Sequence, residues 1–174
     1  MLRQNHHGSV PDCMNNFFWS NIFRDGDEQV EIIARLWSDT PLFNNIPTRH
    51  VRQLAQNMHV RQYQPNEIIF REGDQGAGTI LVLDGEVRIM ARDNQLALMQ
   101  RGDFFGEIAL AENDKRTADA ICMSEAKLVF FLRQDLEEWI DTEPRLGSIF
   151  LMNLASVLAQ RLHQANQLLA QGHA

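Results

Sequence analysis

The sequence predicts an α+β protein in which helices flank an antiparallel β-roll, or jelly roll, of about eight strands. Apolar residues recur with a helical period before Met58 and again after Leu132. Between these positions the period changes to two, in short stretches separated by glycines and by an Asp-Asn pair, which are typical of tight turns. Because 174 residues can bury one core but not two sizeable ones, we expect a single roll with N-terminal helices and a long C-terminal helix.

The N-terminal part divides into two segments. Residues 1–15 are polar and irregular, and we expect them to be loosely held, whereas residues 16–57 are predicted to form a helical bundle. Within this bundle, the segment Phe17–Phe23 places five large apolar side chains in about two helical turns. We favour a short helix packed on its own domain or on a dimer mate, since large apolar patches rarely stay exposed. The alternative is a docking segment for a partner or a membrane.

The elements that follow are each predicted from a local pattern. Helices are expected from Asp27 to Trp37 and again from Pro47, because their apolar residues repeat at helical spacing. Residues 58–132 form the predicted roll, whose turns include LDGEV, a hairpin with Gly85 in the left-handed region, and ARDNQ, a second hairpin. Residues 133–174 are predicted to form C-terminal helices that serve as a dimer contact.

The last helix is predicted to run from about Arg145 to Ala170. Its apolar positions Leu158, Leu162, Ala165 and Leu169 are separated by steps of 4, 3 and 4 residues, a spacing typical of a coiled-coil seam. We therefore predict a symmetric homodimer through this helix. The alternative is a helix that packs only on its own roll.

Composition excludes several classes of function. A formal net charge of −7 argues against binding to nucleic acid or to an anionic membrane surface. No apolar run is long enough for a signal peptide or a membrane span, so we expect a cytoplasmic protein. Cys13 and Cys122 lie far apart, which favours free thiols. The histidines show no metal-binding cluster, which argues against a metal-dependent enzyme built on a similar roll.

Residues 104–119, FFGEIALAENDKRTAD, interrupt the strand pattern. GEIALA reads as a single helical turn, and the start of such a turn presents backbone N–H groups that bind anions. Arg116 follows, and its planar guanidinium suits a phosphate. Glu107 repels a phosphate but accepts hydrogen bonds from sugar hydroxyls. Together these features predict a sugar-phosphate site, and the alternative is an ordinary surface salt bridge between Glu107 and Arg116.

Two segments, IIFREGDQGAGTILVLDGEVRI and GDFFGEIALAENDKRTADA, resemble the cyclic nucleotide-binding domain superfamily. That superfamily includes the sensor domains of Crp/Fnr-type regulators, the regulatory subunits of cyclic-nucleotide-dependent kinases and the cytoplasmic domains of cyclic-nucleotide-gated channels. The resemblance extends from about Leu42 to Leu169 and identifies residues 104–119 as the phosphate-binding cassette. Residues 41–57 and 58–174 would then form one domain.

The resemblance implies a role for each site residue. Arg116 would pair with the cyclic phosphate, and Glu107, helped by Gly106, would accept from the ribose 2′-OH. The Thr117 hydroxyl is associated with acceptance of guanine, so cAMP and cGMP are both candidate ligands. The backbone N–H groups of Ile108, Ala109 and Thr117 would contact the phosphate, and Ala118 belongs to the same cassette. Ile89, Ala97 and Met99 would line the base pocket. Val157 or Arg161, on the last helix, which would act as a lid, would contact the purine.

The implied function is that of a non-enzymatic sensor of cAMP or cGMP, with no cofactor and no catalytic group. Occupancy would move the C-terminal helices and act on a separate effector protein, for which the segment Phe17–Phe23 is a candidate surface. No helix-turn-helix follows the long helix in this sequence, so we expect a stand-alone member without a DNA-binding domain. The alternative is a roll that binds no ligand and serves as a scaffold or dimerisation module.

Overall fold

The computed structural model describes residues 15–92, 94–111 and 115–171, with only the backbone described for residues 15–25 and 171. A 3₁₀ turn, Pro41–Phe43, accompanies the helices α1 (Asn15–Ser38), α2 (Thr48–Ala55), α3 (Ile108–Ala111), α4 (Arg133–Thr142) and α5 (Pro144–Gln171). The strands are β1 (His59–Tyr63), β2 (Ile68–Phe70), β3 (Gly78–Asp84), β4 (Val87–Ala91), β5 (Asn94–Met99), β6 (Phe104–Phe105), β7 (Asp119–Cys122) and β8 (Ala126–Leu132).

The strands form two four-stranded antiparallel sheets, in the orders β1-β8-β3-β6 and β2-β7-β4-β5. Neighbours in a sheet are mostly distant in sequence, which is the connectivity of a jelly roll. The predicted fold class is confirmed, with N-terminal helices before the roll and a long helix after it. Between β5 and β7, the single turn of α3 lies where GEIALA predicted it.

An aromatic cluster joins the helices to the first sheet. The ring of Phe150 on α5 lies 5.1 Å from that of Phe43 and 6.0 Å from that of Phe131 on β8, between ring centroids. Asn153, one turn later, donates to the carbonyls of Leu42 at 3.0 Å and Asn44 at 2.8 Å. The first half of α5 is therefore fixed to the roll, whereas residues 162–170 are all exposed.

The chain turns at Gly85, which has the left-handed backbone conformation that the sequence predicted. The predicted hairpin is wrong, because β3 pairs with β6 and β8 whereas β4 pairs with β5 and β7, so the turn joins the two sheets. The φ of Gly85 is +87°, and a Cβ atom there would lie 2.4 Å from the Glu125 carbonyl oxygen. Only glycine combines that backbone angle with so close an approach. This turn carries the chain from β3 in the first sheet to β4 in the second, on which the predicted site residue Ile89 lies.

The segment Phe17–Phe23 lies within α1, a single helix that extends further towards the N-terminus than the predicted start at Asp27. The packing of its side chains lies outside the described residues, so the choice between a packed helix and a docking segment stays open. None of the helices within the described ranges has the length and apolar character needed to cross a membrane.

Cys122 is a buried free thiol on β7. Burial raises its pKa to about 11, so the reactive thiolate is scarce at neutral pH. In a Cys13→Ala variant, which isolates this thiol, we expect almost no reaction with a thiol reagent at pH 8 until denaturant unfolds the protein. Fast labelling of the folded variant, measured by absorbance or mass spectrometry, would contradict this burial.

Candidate functional site

The loop after β2 fixes the backbone of Arg116. The Arg116 N–H donates to the Asp74 carbonyl at 2.7 Å, and the Gly73 N–H donates to the Arg116 carbonyl at 2.8 Å. The guanidinium donates through Nη1 to the Gly106 carbonyl at 3.0 Å and lies 4.3 Å from the centroid of the Phe70 ring. A carbonyl and an aromatic face thus hold this cation, and no ion pair joins it to a carboxylate within the described residues.

The electrostatic state of Arg116 is unfavourable without an anion. Burial lowers the pKa of its guanidinium, and the nearby carboxylates of Glu107 and Asp74 oppose that shift only in part. Arginine nevertheless stays charged in proteins. A half-buried cation that has lost water without gaining an ion pair favours an anionic ligand, which would restore its hydrogen bonds.

Gly106 allows the guanidinium to approach the cassette backbone. Its φ is +74°, and a Cβ atom there would lie 2.5 Å from Arg116 Nη1. The same residue supplies the carbonyl that accepts from Arg116. Glycine at this position therefore sets the position of the cation.

Glu107 pairs with α5 and not with Arg116. Its side chain is 3% exposed, and Oε2 accepts a hydrogen bond from Nη1 of Arg161 on α5. Arg161 also donates to the Phe104 carbonyl at 3.0 Å and lies over the Phe104 ring, 4.9 Å from its centroid. The Glu107–Arg116 salt bridge considered from the sequence is absent from the described ion pairs. Glu107 instead connects the cassette to α5.

Removing Arg161 tests this connection. An Arg161→Ala variant is expected to lower the free energy of unfolding by about 1–3 kcal/mol, because a buried carboxylate loses its charged partner. Glu107→Gln combined with Arg161→Ala should recover part of the loss, since the unpaired charge is gone. Urea unfolding of the wild type, both single variants and the double variant measures the coupling, and strictly additive losses would contradict a direct interaction.

A cavity of about 460 Å³ opens between the cassette, the β4–β5 hairpin and α5. That volume lies in the range typical of small-molecule sites. Most of the residues predicted from the sequence line it, namely Ile89, Met99, Gly106, Glu107, Ile108, Ala109, Arg116, Thr117, Ala118 and Arg161. The fold thus gathers residues from four separate elements around one space.

Val157 does not reach this cavity. It is 5% exposed and belongs to the core cluster that contains Phe150. Successive helical residues are rotated by about 100°, so Val157 projects towards the roll interior whereas Leu158 does not. Leu158 lines the cavity in its place. Of the two lid residues considered, only Arg161 lies at the site, where it contacts Glu107.

Ala97 also falls outside the cavity lining, because of a β-bulge. Ile89 pairs with Ala97, but the next residue of β4, Met90, pairs with Gln95. Leu96 is thus an extra residue in β5 and lines the cavity. Simple alternation of faces along the strand could not reveal this irregularity.

The backbone N–H of Ala109, which was expected to contact the phosphate, already has a hydrogen-bond partner. The Ala109 N–H donates to the Gly106 carbonyl at 3.3 Å, within the turn that begins α3. This amide is therefore not free in the structure, contrary to the expectation from the sequence. The anion-binding character of the cassette rests mainly on Arg116.

Sequence reasoning missed several lining residues: Phe70, Leu96, Phe105, Lys115, Leu158, Leu162 and Ala165. Three of them, Leu158, Leu162 and Ala165, belong to the heptad-like seam that the sequence predicted as a dimer contact. That seam faces the cavity as well as solvent. Its spacing could have indicated a lid surface as readily as a dimer surface.

A second, larger cavity of about 810 Å³ lies between β1, β2 and β8, and Arg116 and Phe70 border it too. Apart from Arg116, it includes none of the cassette residues. The convergence of Gly106, Glu107 and Arg116 favours the smaller cavity as the candidate site. Across the described parts of the chain, no group of three or more His, Cys, Asp or Glu residues could hold a metal ion.

Residues 60–143 match the family described as cyclic nucleotide-binding domain. The chain is 30% identical over 132 residues to the cyclic AMP receptor protein of Thermus thermophilus, covering 73% of this chain and 59% of that relative. It is 34% identical over 106 residues to isozyme 1 of the cGMP-dependent protein kinase of Drosophila melanogaster, covering 57% of this chain and 14% of the kinase. The chain thus spans about three fifths of the first relative and a small part of the second.

Solved structures share the fold. A cyclic nucleotide-binding domain from Methylobacillus flagellatus superposes with a TM-score of 0.72 at 21% identity, covering 95% of this chain and 97% of that one. At this identity the likeness concerns the fold alone. It extends over the helices that flank the roll as well as over the roll itself.

Proposed function

Because residues 60–143 of the chain form a cyclic nucleotide-binding domain, we propose that the protein is a non-enzymatic sensor of cAMP or cGMP. The observation that carries the proposal is the half-buried guanidinium of Arg116, which faces a cavity of about 460 Å³ without an ion pair among the described carboxylates. The equatorial oxygens of a cyclic phosphate would accept from it. Similarity to a cyclic AMP receptor protein and to a cGMP-dependent kinase supports both nucleotides as candidates.

Glu107 would accept from the ribose 2′-OH. Arg161 contacts Oε2 of this carboxylate, and Oε1 is the acceptor we assign to the hydroxyl. A carboxylate can accept several hydrogen bonds at once, so the two partners are compatible. The ligand would then meet the residue that holds α5.

This shared residue suggests how occupancy reaches α5. A ligand shifts a conformational equilibrium only if it binds the two states with different affinity. The purine would supply the difference, since Leu158 and Leu162 of α5 line the cavity and bury it only when α5 lies over the cassette. Movement of α5 would in turn change the surface offered to an effector protein.

We also propose a homodimer through α5. Leu162 is 62% exposed, and Leu169 lies further along the same seam and is similarly exposed. Leu158, Leu162 and Ala165 line the cavity while they belong to this seam. Ligand and partner helix would thus meet on one face, and sedimentation equilibrium with and without nucleotide tests both points.

A ligand-free scaffold is the second candidate function. The observation that favours it is the Glu107–Arg161 pair, which satisfies the cassette carboxylate from within the chain. A roll that has lost its ligand could keep this contact to fix α5 for dimerisation alone.

Isothermal titration of cAMP and of cGMP into the full chain separates the two candidates. The sensor should release or absorb heat with at least one of them and give a saturable, one-site isotherm per chain. AMP, which lacks the cyclic ester, is the matched control and should bind more weakly. Absence of binding by both cyclic nucleotides at millimolar concentration would overturn the sensor and leave the scaffold.

Gly106→Ala is expected to weaken cyclic nucleotide binding by about tenfold or more, because the added Cβ displaces the Arg116 guanidinium. Gly102→Ala is the matched control. Gly102 also has positive φ, +90°, but its Cβ would meet nothing closer than 3.9 Å. Both variants should lose a similar free energy of unfolding, about 1 kcal/mol, from backbone strain. Equal nucleotide affinity in the two variants would contradict the role of Gly106.

A further inference from the structure

We infer that this cavity recognises the base of a cyclic nucleotide by apolar contact alone and therefore accepts cyclic purine nucleotides with little discrimination among them. The inference rests on the proposed function and adds the ligand class. It would make the site a receptor for cyclic purine monophosphates in general.

The polar side chains of the cavity belong to the cassette or are tied to it. Glu107, Lys115, Arg116 and Thr117 lie on the cassette itself. Arg161 comes from α5, but its guanidinium is bound to the Glu107 carboxylate and the Phe104 carbonyl. The phosphate and ribose of a cyclic nucleotide would occupy this group of residues.

The remaining walls are apolar. Among the described residues, β4, β5 and α5 contribute to the lining only Ile89, Leu96, Met99, Leu158, Leu162 and Ala165, apart from Arg161. A base attached to a ribose at the cassette must lie against these side chains. None of their side chains donates a hydrogen bond, and the Met99 sulfur is only a weak acceptor, so they distinguish the polar edge of adenine from that of guanine poorly.

Two of these residues form an open edge of the cavity. Leu96 and Leu162 are each 62% exposed although they line it. A purine would cover them with its ring faces, whose area is nearly the same in every purine. Exocyclic groups at the open edge stay in contact with water, so they lose little hydration on binding.

The affinity ratios typical of apolar sites support weak discrimination between purine bases. A site built to hydrogen-bond a ligand group rejects an analogue that lacks it by 10⁴–10⁵-fold, whereas an apolar site discriminates by roughly 10–200-fold. The Thr117 hydroxyl, which is exposed, adds one hydrogen bond at most. Such a bond changes a ratio of affinities by about tenfold.

The first experiment measures the dissociation constants of cAMP, cGMP, cIMP and purine riboside 3′,5′-cyclic monophosphate, which differ only in the exocyclic groups of the base and in whether its N1 carries a proton. We expect all four to lie within about 100-fold of one another, which is inside the range of an apolar site. A spread above 100-fold would overturn the inference and leave the proposed function standing. Binding by none of the four would overturn both.

The second experiment compares two leucines of α5. Leu162→Ala should weaken cAMP and cGMP by the same factor, about tenfold, because it removes apolar contact without removing a hydrogen bond. Leu168→Ala, whose side chain is 69% exposed and lies outside the cavity lining, should leave both affinities unchanged. The inference would be overturned if Leu162→Ala lowered the affinity for one nucleotide by a factor more than tenfold larger than for the other.

Discussion

Replacing Arg116 with alanine is expected to weaken cyclic nucleotide binding by roughly 10–150-fold, which corresponds to about 1.5–3 kcal/mol for a lost charged hydrogen-bonded pair. The guanidinium has no ion pair within the described part of the chain, so the free protein loses only the hydrogen bond to the Gly106 carbonyl and the contact with the Phe70 ring. The substitution should therefore destabilise the nucleotide complex more than the free protein. Titration calorimetry with cAMP and cGMP measures the loss.

Two further variants sharpen this test. Arg116→Lys keeps the charge but loses the planar fork, so we expect an intermediate affinity. Arg145→Ala removes an exposed arginine at the start of α5, outside the cavity lining, and should leave affinity unchanged. Thermal unfolding of each variant checks that the fold is retained. Wild-type affinity in a folded Arg116→Ala protein would mean that the nucleotide binds elsewhere.

Replacing Phe150 with alanine is expected to lower the free energy of unfolding by about 3–5 kcal/mol. The side chain is fully buried, and its ring meets those of Phe43, Phe131 and Trp139. The cavity left behind would separate α5 from the first sheet, and rigid surroundings would fill it only in part. Since domains of this size are stabilised by about 5–15 kcal/mol, the variant should fold but unfold at much lower urea concentration.

Leu151→Ala is the matched control for Phe150→Ala. Leu151 is the next residue of α5 and is half exposed, so its truncation should cost at most about 1 kcal/mol. Both variants are compared by urea unfolding at one protein concentration, because dimerisation would add to apparent stability. Equal losses would show that the aromatic cluster does not anchor α5.

The sequence was sufficient where a local pattern determines the structure. The change from helical to strand period at Met58 located the start of the roll, and β1 begins at the next residue. Gly85 adopts the left-handed conformation predicted for LDGEV, although the turn joins the two sheets and closes no hairpin. The cassette could be located because its residues are close in sequence and carry the resemblance to a known family.

The sequence was insufficient where tertiary contacts decide. Glu107 and Arg161 are 54 positions apart, and no local pattern indicates that a buried carboxylate would pair with α5 and not with Arg116. The bulge at Leu96 and the rotation of α5 that directs Val157 to the core depend on how elements pack. Each changed the lining of the cavity without changing the fold class.

Under the proposed function, the exposed end of α5, residues 162–170, would act as a lever arm. Nine residues separate Arg161 from Ala170, which amounts to about 14 Å of helix. A tilt of about 20° at Arg161 would move the helix tip by about 5 Å, from the same helical rise. A rearrangement of a single ion pair at the cassette would thus become a displacement large enough to separate or join two protein surfaces.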